Sequence, residues 1–599
     1  MKKIILIYAI IIIVLGGFTS CDTNDFLSEN NPNIIPKSEF WKDLSDTSQG
    51  LNAVYQTMHK PGLINVIPEI LRSDMGYPGY GRPNANNTED FYLHTYNSSS
   101  SEIASMWQTN YIGIFRANQV IEALNRIKPT LKDSDQAEWT SQMAQARFFR
   151  GLFHYYLYSA FNNGSIIIRD AVPELLSEVY MPLSSASEVL TFVRNDLKFA
   201  YENLKKKGQY VPNDLSRVTS GAAATILGTT YLQELKYAEA MPYFNDVIKN
   251  HGYALEYDRT KLFTTAGEFN QESILEINFK NVRPDLQPWD GDSGTNWLNQ
   301  QTSNTKGPVA PAWMVYAYKT EPMDTKDERN YYTDFQGRKT LRNVPLRVSS
   351  MMAIVEDYQT IYYLTAPTTE FTRFHGTAWG FGWWKKYTND DIVANEGDIF
   401  GGATYSSKNV TLNRLADVYL MQAECKIKTG SITGVDGALY YINEIRKRWG
   451  LKLLGPSNGD TQHDYVDVNA NNLPYTDANV LMQHLMRVEK PLEMSIEGHM
   501  IRTLDFQRWK KSDNYGFKNR LEELSKEIYY APTTYNYIDN EGKPKTKNNN
   551  PYLVSVKPAN NFITVDYEYD TSYLNYNESK HGQYPIPSVE VTSNPYINN

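Results

Sequence analysis

Cysteine is nearly absent: 599 residues contain only Cys21 and Cys425. A disulfide framework is therefore excluded as the source of stability, and a hydrophobic core has to supply it. Long apolar runs are missing too. The longest, Ile4 to Leu15, has twelve residues, and a helix needs about 20 to cross a bilayer. Positive charge is not in excess, with 59 Lys+Arg against 68 Asp+Glu and a formal charge of −9. That balance argues against nucleic acid as a partner and gives no electrostatic reason to bind an anionic bilayer. The nine histidines are scattered, without the His-Glu-x-x-His spacing of a zinc site. Neither a Gly-x-Ser-x-Gly elbow nor a phosphate-binding loop is present, and nothing calls for a cofactor. A glycosidase carboxylate pair is set by distance in space rather than in sequence, so hydrolysis stays open at this point.

What is present begins at the N-terminus. Lys2 and Lys3, the apolar run, and Phe18-Thr19-Ser20 ahead of Cys21 have the layout of a secretory signal. A cysteine directly after the small pair resembles a bacterial lipoprotein signal, in which residues 1–20 are removed and Cys21 is acylated, giving an anchored protein. Phe18 stands where such boxes usually carry Leu. The alternative is an ordinary secretory signal with an incidental cysteine. Removing residues 1–20 takes Lys2 and Lys3 away and moves the charge from −9 to −11. Cys425, inside Tyr419-Leu420-Met421-Gln422-Ala423-Glu424-Cys425, then reads as a small buried hydrophobe. The strongest compositional bias is aromatic: 44 Tyr, 23 Phe and 11 Trp. That is more hydroxyl than a core needs, so part of it belongs at the surface.

Residues 21–37 read as an extended tether, and 38–599 as one domain. Helical spacing of apolar residues begins near Phe40 and recurs over Ile103–Ile127, about 137–160 and about 187–204. In Ser220–Asn250, Leu227-Gly228, Tyr231, Ala240 and Phe244 fall in the register of the tetratricopeptide repeat. A second such pair starts at Leu415-Ala416 with Tyr419 and returns at Ala438 and Ile442. Helical scaffold is expected over about 38–251 and 412–511. Loop-rich, ligand-binding excursions are expected over about 72–101, 252–411 and 530–584, with only short strands such as Ser273–Phe279. The fold class is thus all-α: a tetratricopeptide-like helical-repeat scaffold with long loop-rich excursions.

The C-terminal third carries Glu489-Lys490-x-x-Glu493-Met494-x-x-Glu497-Gly498, then Arg502-x-x-Asp505-Phe506-x-Arg508-Trp509. The tail carries Pro585-Ile586-Pro587-x-x-Glu590-Val591-x-x-Asn594-Pro595. Together with Phe40-Trp41, Leu51-Asn52-Ala53-Val54-Tyr55, Ala146-x-Phe148-x-Arg150-Gly151 and Leu415–Glu424, these resemble the signature of the SusD/RagB family, surface glycan-binding lipoproteins of Bacteroidetes. Two extra residues, His499-Met500, separate the first two blocks, Lys490 stands for Arg, and Pro491 falls inside the expected helix. The resemblance implies a lipid-anchored, surface-exposed outer-membrane protein. It would capture oligo- or polysaccharide without cleaving it and deliver it to a SusC-like TonB-dependent outer-membrane transporter. Peptide capture by the same family, or a secreted glycoside hydrolase, are the alternatives. Glu493, Glu497, Arg502, Asp505 and Arg508 read as framework charges that fix geometry.

A sugar offers flat C–H patches to aromatic faces and hydroxyls to Asn, Asp, Arg and Gln. Three Gly- and Pro-punctuated segments combine both. The first supplies Asp74, Tyr77, Tyr80 and Arg82, next to Arg72-Ser73; the second Trp289, Asp290, Trp297 and Asn299; the third Arg373, Trp379, Trp383 and Trp384. Asp290 and Asp292 also resemble the start of a calcium loop. However, the glycine falls one place early and Gln301 stands where the bidentate Glu belongs, so a flexible turn is the better reading. Trp107 and Tyr111 have helical spacing and are expected in the core.

Overall fold

The computed structural model describes residues 40–63, 66–78, 89–279, 308–364, 366–367, 381–398, 406–539, 542–548, 552–566 and 568–597. Cys21, the signal segment and the tether lie outside them. The helices that build the scaffold are α1 (Leu44–Gln56), α2 (Val66–Arg72), α3 (Ser101–Ile127), α4 (Gln136–Ala160), α5 (Ala186–Asn203), α6 (Ser220–Gln233) and α7 (Tyr237–Asn250). They are followed by α8 (Ala312–Thr320), α9 (Leu415–Lys428), α10 (Ala438–Arg448), α11 (Lys490–Met494), α12 (Ile501–Asp513) and α13 (Phe517–Leu524). Local chemistry sets several starts. Asp43 accepts from the N–H groups of Ser45 and Asp46 ahead of α1, and Ser185 with Glu188 forms a capping box on α5.

From α3 onward each helix packs on the next: α3 on α4, α4 on α5, α5 on α6, α6 on α7. The chain then leaves, and when it returns α9 packs directly on α7 and α10 on α9. This is the nearest-neighbour stacking of a helical repeat. α3 buries Trp107, Ile114, Ala117, Val120, Ile121 and Leu124, the stripe its 3.6-residue spacing requires. Tyr111 is only half-buried, with its hydroxyl donating to the Ile167 carbonyl at 2.9 Å. In the first repeat pair a Cβ on Gly228 would lie 2.5 Å from Phe244 Cε1; glycine is what lets that ring close the seam. Cys425 is fully buried between helices.

The excursion between α7 and α9 has a neck. β1 (Ser273–Ile277) runs antiparallel to β4 (Val410–Arg414), with Ser273 opposite Arg414 and Ile277 opposite Val410. Inside it, β2 (Met352–Ala353) pairs with β3 (Trp383–Trp384). The segment 530–584, expected to be loop, contains real strands. β5 (Ile528–Pro532) pairs with β8 (Phe562–Asp566), and β6 (Thr534–Ile538) with β7 (Pro544–Asn548). Tyr535 and Tyr537 are buried while Thr534 and Asn536 are exposed, a period-2 pattern that the high Asn, Lys and Pro content of the segment hides.

The motif charges converge on the neck. Arg414 binds Glu272 and Glu493, each at 2.7 Å from Nη1, and Glu497 at 2.6 Å from Nε. Arg448 bridges Glu272 and Glu493, and Trp449 Nε1 donates to Glu493 Oε2 at 2.6 Å. Arg347 spans Glu321 and Glu489, Arg446 holds Glu489 at 2.8 Å, and Lys386 holds Glu497. Five carboxylates and five cations are all at most 7 % exposed, so each charge is compensated where water cannot screen it. The chain enters α11 through a π-turn at Leu485–Glu489, a wider turn that accommodates Pro491 and its missing N–H.

Burial by itself would raise the Glu493 carboxyl, but Arg448, Arg414 and Arg347 outweigh it and hold it at about 2 against an ordinary 4.5. Glu493→Gln removes a buried charge shared by three guanidinium groups and is expected to cost about 3–5 kcal/mol in denaturant unfolding. Glu522→Gln, at the exposed Lys526 pair, should cost under about 1 kcal/mol. The Glu493 contribution is complete above pH 4.5, its unfolded value, and is lost as pH falls through its folded value near 2. The stability gap between wild type and Glu493→Gln should therefore narrow over that window in a pH series of melts.

Candidate functional site

The three aromatic segments can be followed to their roots. The first leaves the fold at the end of α2. There Arg72 is buried, its Nε 2.9 Å from Glu69 and its guanidinium 4.1 Å above the Tyr584 ring. Two residues on, Asp74 is 0 % exposed and receives Arg502 on both oxygens, each at 2.8 Å, and Arg520 Nε at 3.0 Å. Burial pushes the Asp74 carboxyl up, yet these two cations leave it below its ordinary value. Its backbone carbonyl accepts Trp313 Nε1 at 2.7 Å. Tyr77 then exchanges two backbone hydrogen bonds with Val309, at 2.9 and 2.8 Å. Residues 79–88 leave just beyond that bridge, and residues 280–307 come back just before it, at Pro308. Two of the three segments therefore share one root.

The third root lies on α8, which starts three residues past Val309. α8 begins at Ala312, whose N–H donates to Glu568 at 2.9 Å. Where the chain reappears at Phe381-Gly382, a Cβ on Gly382 would come within 3.0 Å of Val315 Cγ2 on α8 and 2.8 Å of Met352 Sδ. Glycine permits that approach and lets β3 pair beneath. Ahead of the same segment Tyr363 and Leu364 both take left-handed backbone, with φ of 53° and 56°, a strained pair for residues with side chains. Tyr363 is tied down by a 2.7 Å bond to Glu396, while Leu364 and Ile361 are 55 % and 61 % exposed. The other end of the second segment is held at Phe279, whose N–H donates to Asn409 at 2.8 Å.

These roots correct four of the expected sugar contacts. Asp74 is an anchor for Arg502 and Arg520, and Tyr77, 7 % exposed, packs its edge on Tyr92. Trp383 and Trp384, 3 % and 1 % exposed, form β3 in the main core. Glycine-rich flanks suggested surface turns, but at Gly382 the glycine serves close packing. The remaining candidates, Tyr80, Arg82, Trp289, Asp290, Asp292, Trp297, Asn299, Arg373 and Trp379, lie outside the described residues.

Sequence reasoning missed a set of partly exposed rings beside α8. Tyr316 and Tyr529 have centroids 5.2 Å apart, with the Tyr316 hydroxyl on Ser555 at 2.8 Å. Lys319, paired with Glu356 at 2.8 Å, sits 4.3 Å over Tyr552. The adjacent Tyr529 and Tyr530 of β5 were the available signal. Among the described residues no group of His, Cys, Asp and Glu is arranged to hold a metal ion, and no helix is long and apolar enough to cross a membrane.

Known proteins share this architecture. A model described as the SusD family matches residues 259–599, and one described as starch-binding and associating with the outer membrane matches 25–232. SusD-like protein P38 of Formosa agariphila is 25 % identical over 575 residues, covering 92 % of this chain and all of the relative. SusD-like protein P25 of the same organism is 22 % identical over 471 residues, 74 % of this chain and 84 % of the relative. A SusD homologue of Bacteroides thetaiotaomicron superposes with a TM-score of 0.66 at 18 % identity, over 93 % and 96 % of the two chains. A laminarin-binding SusD-like protein superposes at 0.59 and 19 %, over 93 % and 98 %. A structure described with a xylogluco-oligosaccharide gives 0.59 and 19 %, over 92 % and 98 %. With more than half of its length matched by that family's model, and the helical stack and motif charges where they are, the chain belongs to the SusD family.

Proposed function

We propose that this protein is a non-enzymatic glycan captor of the bacterial outer membrane. Cys21 carries its lipid anchor, and it passes oligo- or polysaccharide to a TonB-dependent transporter. One observation carries the reading: three segments rich in Trp, Tyr, Arg and Asn are rooted close together around the start of α8, two of them at the Tyr77–Val309 bridge just ahead of it. Rings and hydrogen-bonding groups on segments that start from neighbouring points of a stiff scaffold suit a ligand with flat C–H faces and many hydroxyls. The relatives described as binding laminarin and holding a xylogluco-oligosaccharide point the same way. Trp289, Trp297, Arg373 and Trp379 are the contacts proposed first, with Tyr80, Arg82, Asp290 and Asn299 as polar partners; Tyr316 and Tyr529, paired beside α8, are added from the described residues.

Calorimetric titration against a panel of soluble polysaccharides, laminarin and xyloglucan included, tests this. At least one glycan should bind, and Trp289→Ala, Trp297→Ala or Trp379→Ala should weaken it by at least about fivefold, which is about 1 kcal/mol for an anchoring ring. Binding to no glycan, or binding indifferent to all three changes, would refute the assignment. Prolonged incubation with the bound glycan should release no new reducing ends.

A further inference from the structure

In the neck every buried cation meets a carboxylate: Arg347, Lys386, Arg414, Arg446 and Arg448 each hold at least one. Arg259 is different. It opens the short 3-10 turn Arg259–Lys261 beyond α7 and is half-buried. Among the described residues its guanidinium makes no hydrogen bond and no ion pair with the protein. The carboxylate beside it is committed elsewhere. Asp258 Oδ1 accepts the Thr260 N–H and hydroxyl at 3.0 and 2.6 Å, and Oδ2 faces Lys261 at 3.9 Å.

The charges that act most strongly on Arg259 are Arg342 and Asp357. Arg342 is 5 % exposed, and its Nη2 donates to Ser349 Oγ at 2.8 Å, Asp357 Oδ1 at 3.2 Å and Thr360 Oγ1 at 3.3 Å. Lys385, also buried, donates to the Ser349 carbonyl at 2.9 Å and feels Asp357, Arg259 and Arg342. Three cations therefore share one carboxylate, Asp357. The other acid that reaches Lys385, Asp390, also faces Lys408, at 3.5 Å. Burial, and after it the charge of Arg342, push the Arg259 guanidinium below its ordinary value. Burial pushes Lys385 down as well, although Asp357 opposes it. These cations are held at a cost that an anion would lift. The excess is local, because the chain as a whole carries −9.

The cluster brackets the third aromatic segment. Thr360 stands just ahead of the strand Ile361–Tyr362, from which that segment departs, and Lys385 directly follows β3, to which it returns. We infer that Arg259, backed by Arg342 and Lys385, is an oxyanion site at the foot of the third segment, and that the captured glycan bears carboxylate or sulfate groups. A uronate or a sulfate ester offers two oxygens to the guanidinium fork, whereas a neutral hydroxyl leaves the excess charge in place. The glycan half of the inference rests on the function proposed above; the oxyanion half does not.

Calorimetric titration of the full-length protein and of Arg259→Gln tests it, with oligogalacturonate, a sulfated dextran oligosaccharide and neutral laminarin as probes. An acidic probe should bind wild type at least about tenfold more tightly than the variant and should weaken as salt is added. Which of the two acidic probes binds separates carboxylate from sulfate ester. Laminarin should ignore the substitution. Arg259→Lys keeps the charge without the fork; it should fall between the two proteins, and it replaces Arg259→Gln if that variant does not fold. Acidic probes that bind wild type and variant alike, or laminarin bound while neither acidic probe is, overturn the inference. If no glycan of any charge binds, the glycan reading fails by itself, and sodium glucuronate and sodium sulfate judge the oxyanion site. Against sodium chloride at equal ionic strength, one of them should raise the melting temperature of wild type more than that of Arg259→Gln. An equal response in both proteins overturns the site.

Discussion

Arg414 is the residue on which the rest of the architecture depends. It ends β4, the strand that closes the neck of the excursion, and it opens the turn into α9, which resumes the helical stack. Its guanidinium binds Glu272 from the outgoing side of the neck and Glu493 and Glu497 from the motif. One planar cation therefore fixes where the excursion leaves, where it returns and how α11 lies against both. A fork of five donors suits such a task in a way that a lysine ammonium would not. Replacing the whole network by apolar residues could be neutral for stability. What the charges supply is geometry, because each carboxylate accepts only along particular directions.

Geometry matters here because the excursion carries two of the three segments proposed to meet the ligand. A repeat stack offers rigidity but little chemical variety, since its faces are committed to neighbouring helices. The excursion breaks the stack between α7 and α9 without breaking its continuity: α9 docks on α7 as if nothing had intervened. Its inner wall is a second level of order. Asp74, locked by Arg502 and Arg520, and the Tyr77–Val309 bridge tie the N-terminal segment to α8. Residues far apart in the chain thus meet at a common base. Tyr363, buried and bonded to Glu396, is held in left-handed backbone beside the third segment, a local strain that its packing sustains.

Much of this was legible beforehand, and for identifiable reasons. The helices over 101–127, 136–160 and 186–203 were visible because each buries one stripe, and a stripe writes a 3.6-residue period into the chain. The repeat pairs were visible because Gly228 and Phe244 must alternate small and large across a seam. The strands of 528–566 were not, because their alternation is short and their exposed positions are filled with Asn, Thr and Lys. Tyr535 and Tyr537 carry the pattern alone.

The sequence by itself determined the fold class and the family, since periodicity and motif spacing are properties of the chain read in order, and the family in turn implied which class of ligand to test. Only the tertiary structure decided which aromatic and charged residues are structural. Asp74, Tyr77, Trp383 and Trp384 have the composition of a sugar site and lie in the interior, because burial depends on what crosses from elsewhere. Arg502 and Arg520 lie more than 400 positions from Asp74, and β2 lies across from β3. No local reading contains that information: a tryptophan beside a glycine looks the same whether the glycine turns the chain outward or, as at Gly382, lets it press against a helix.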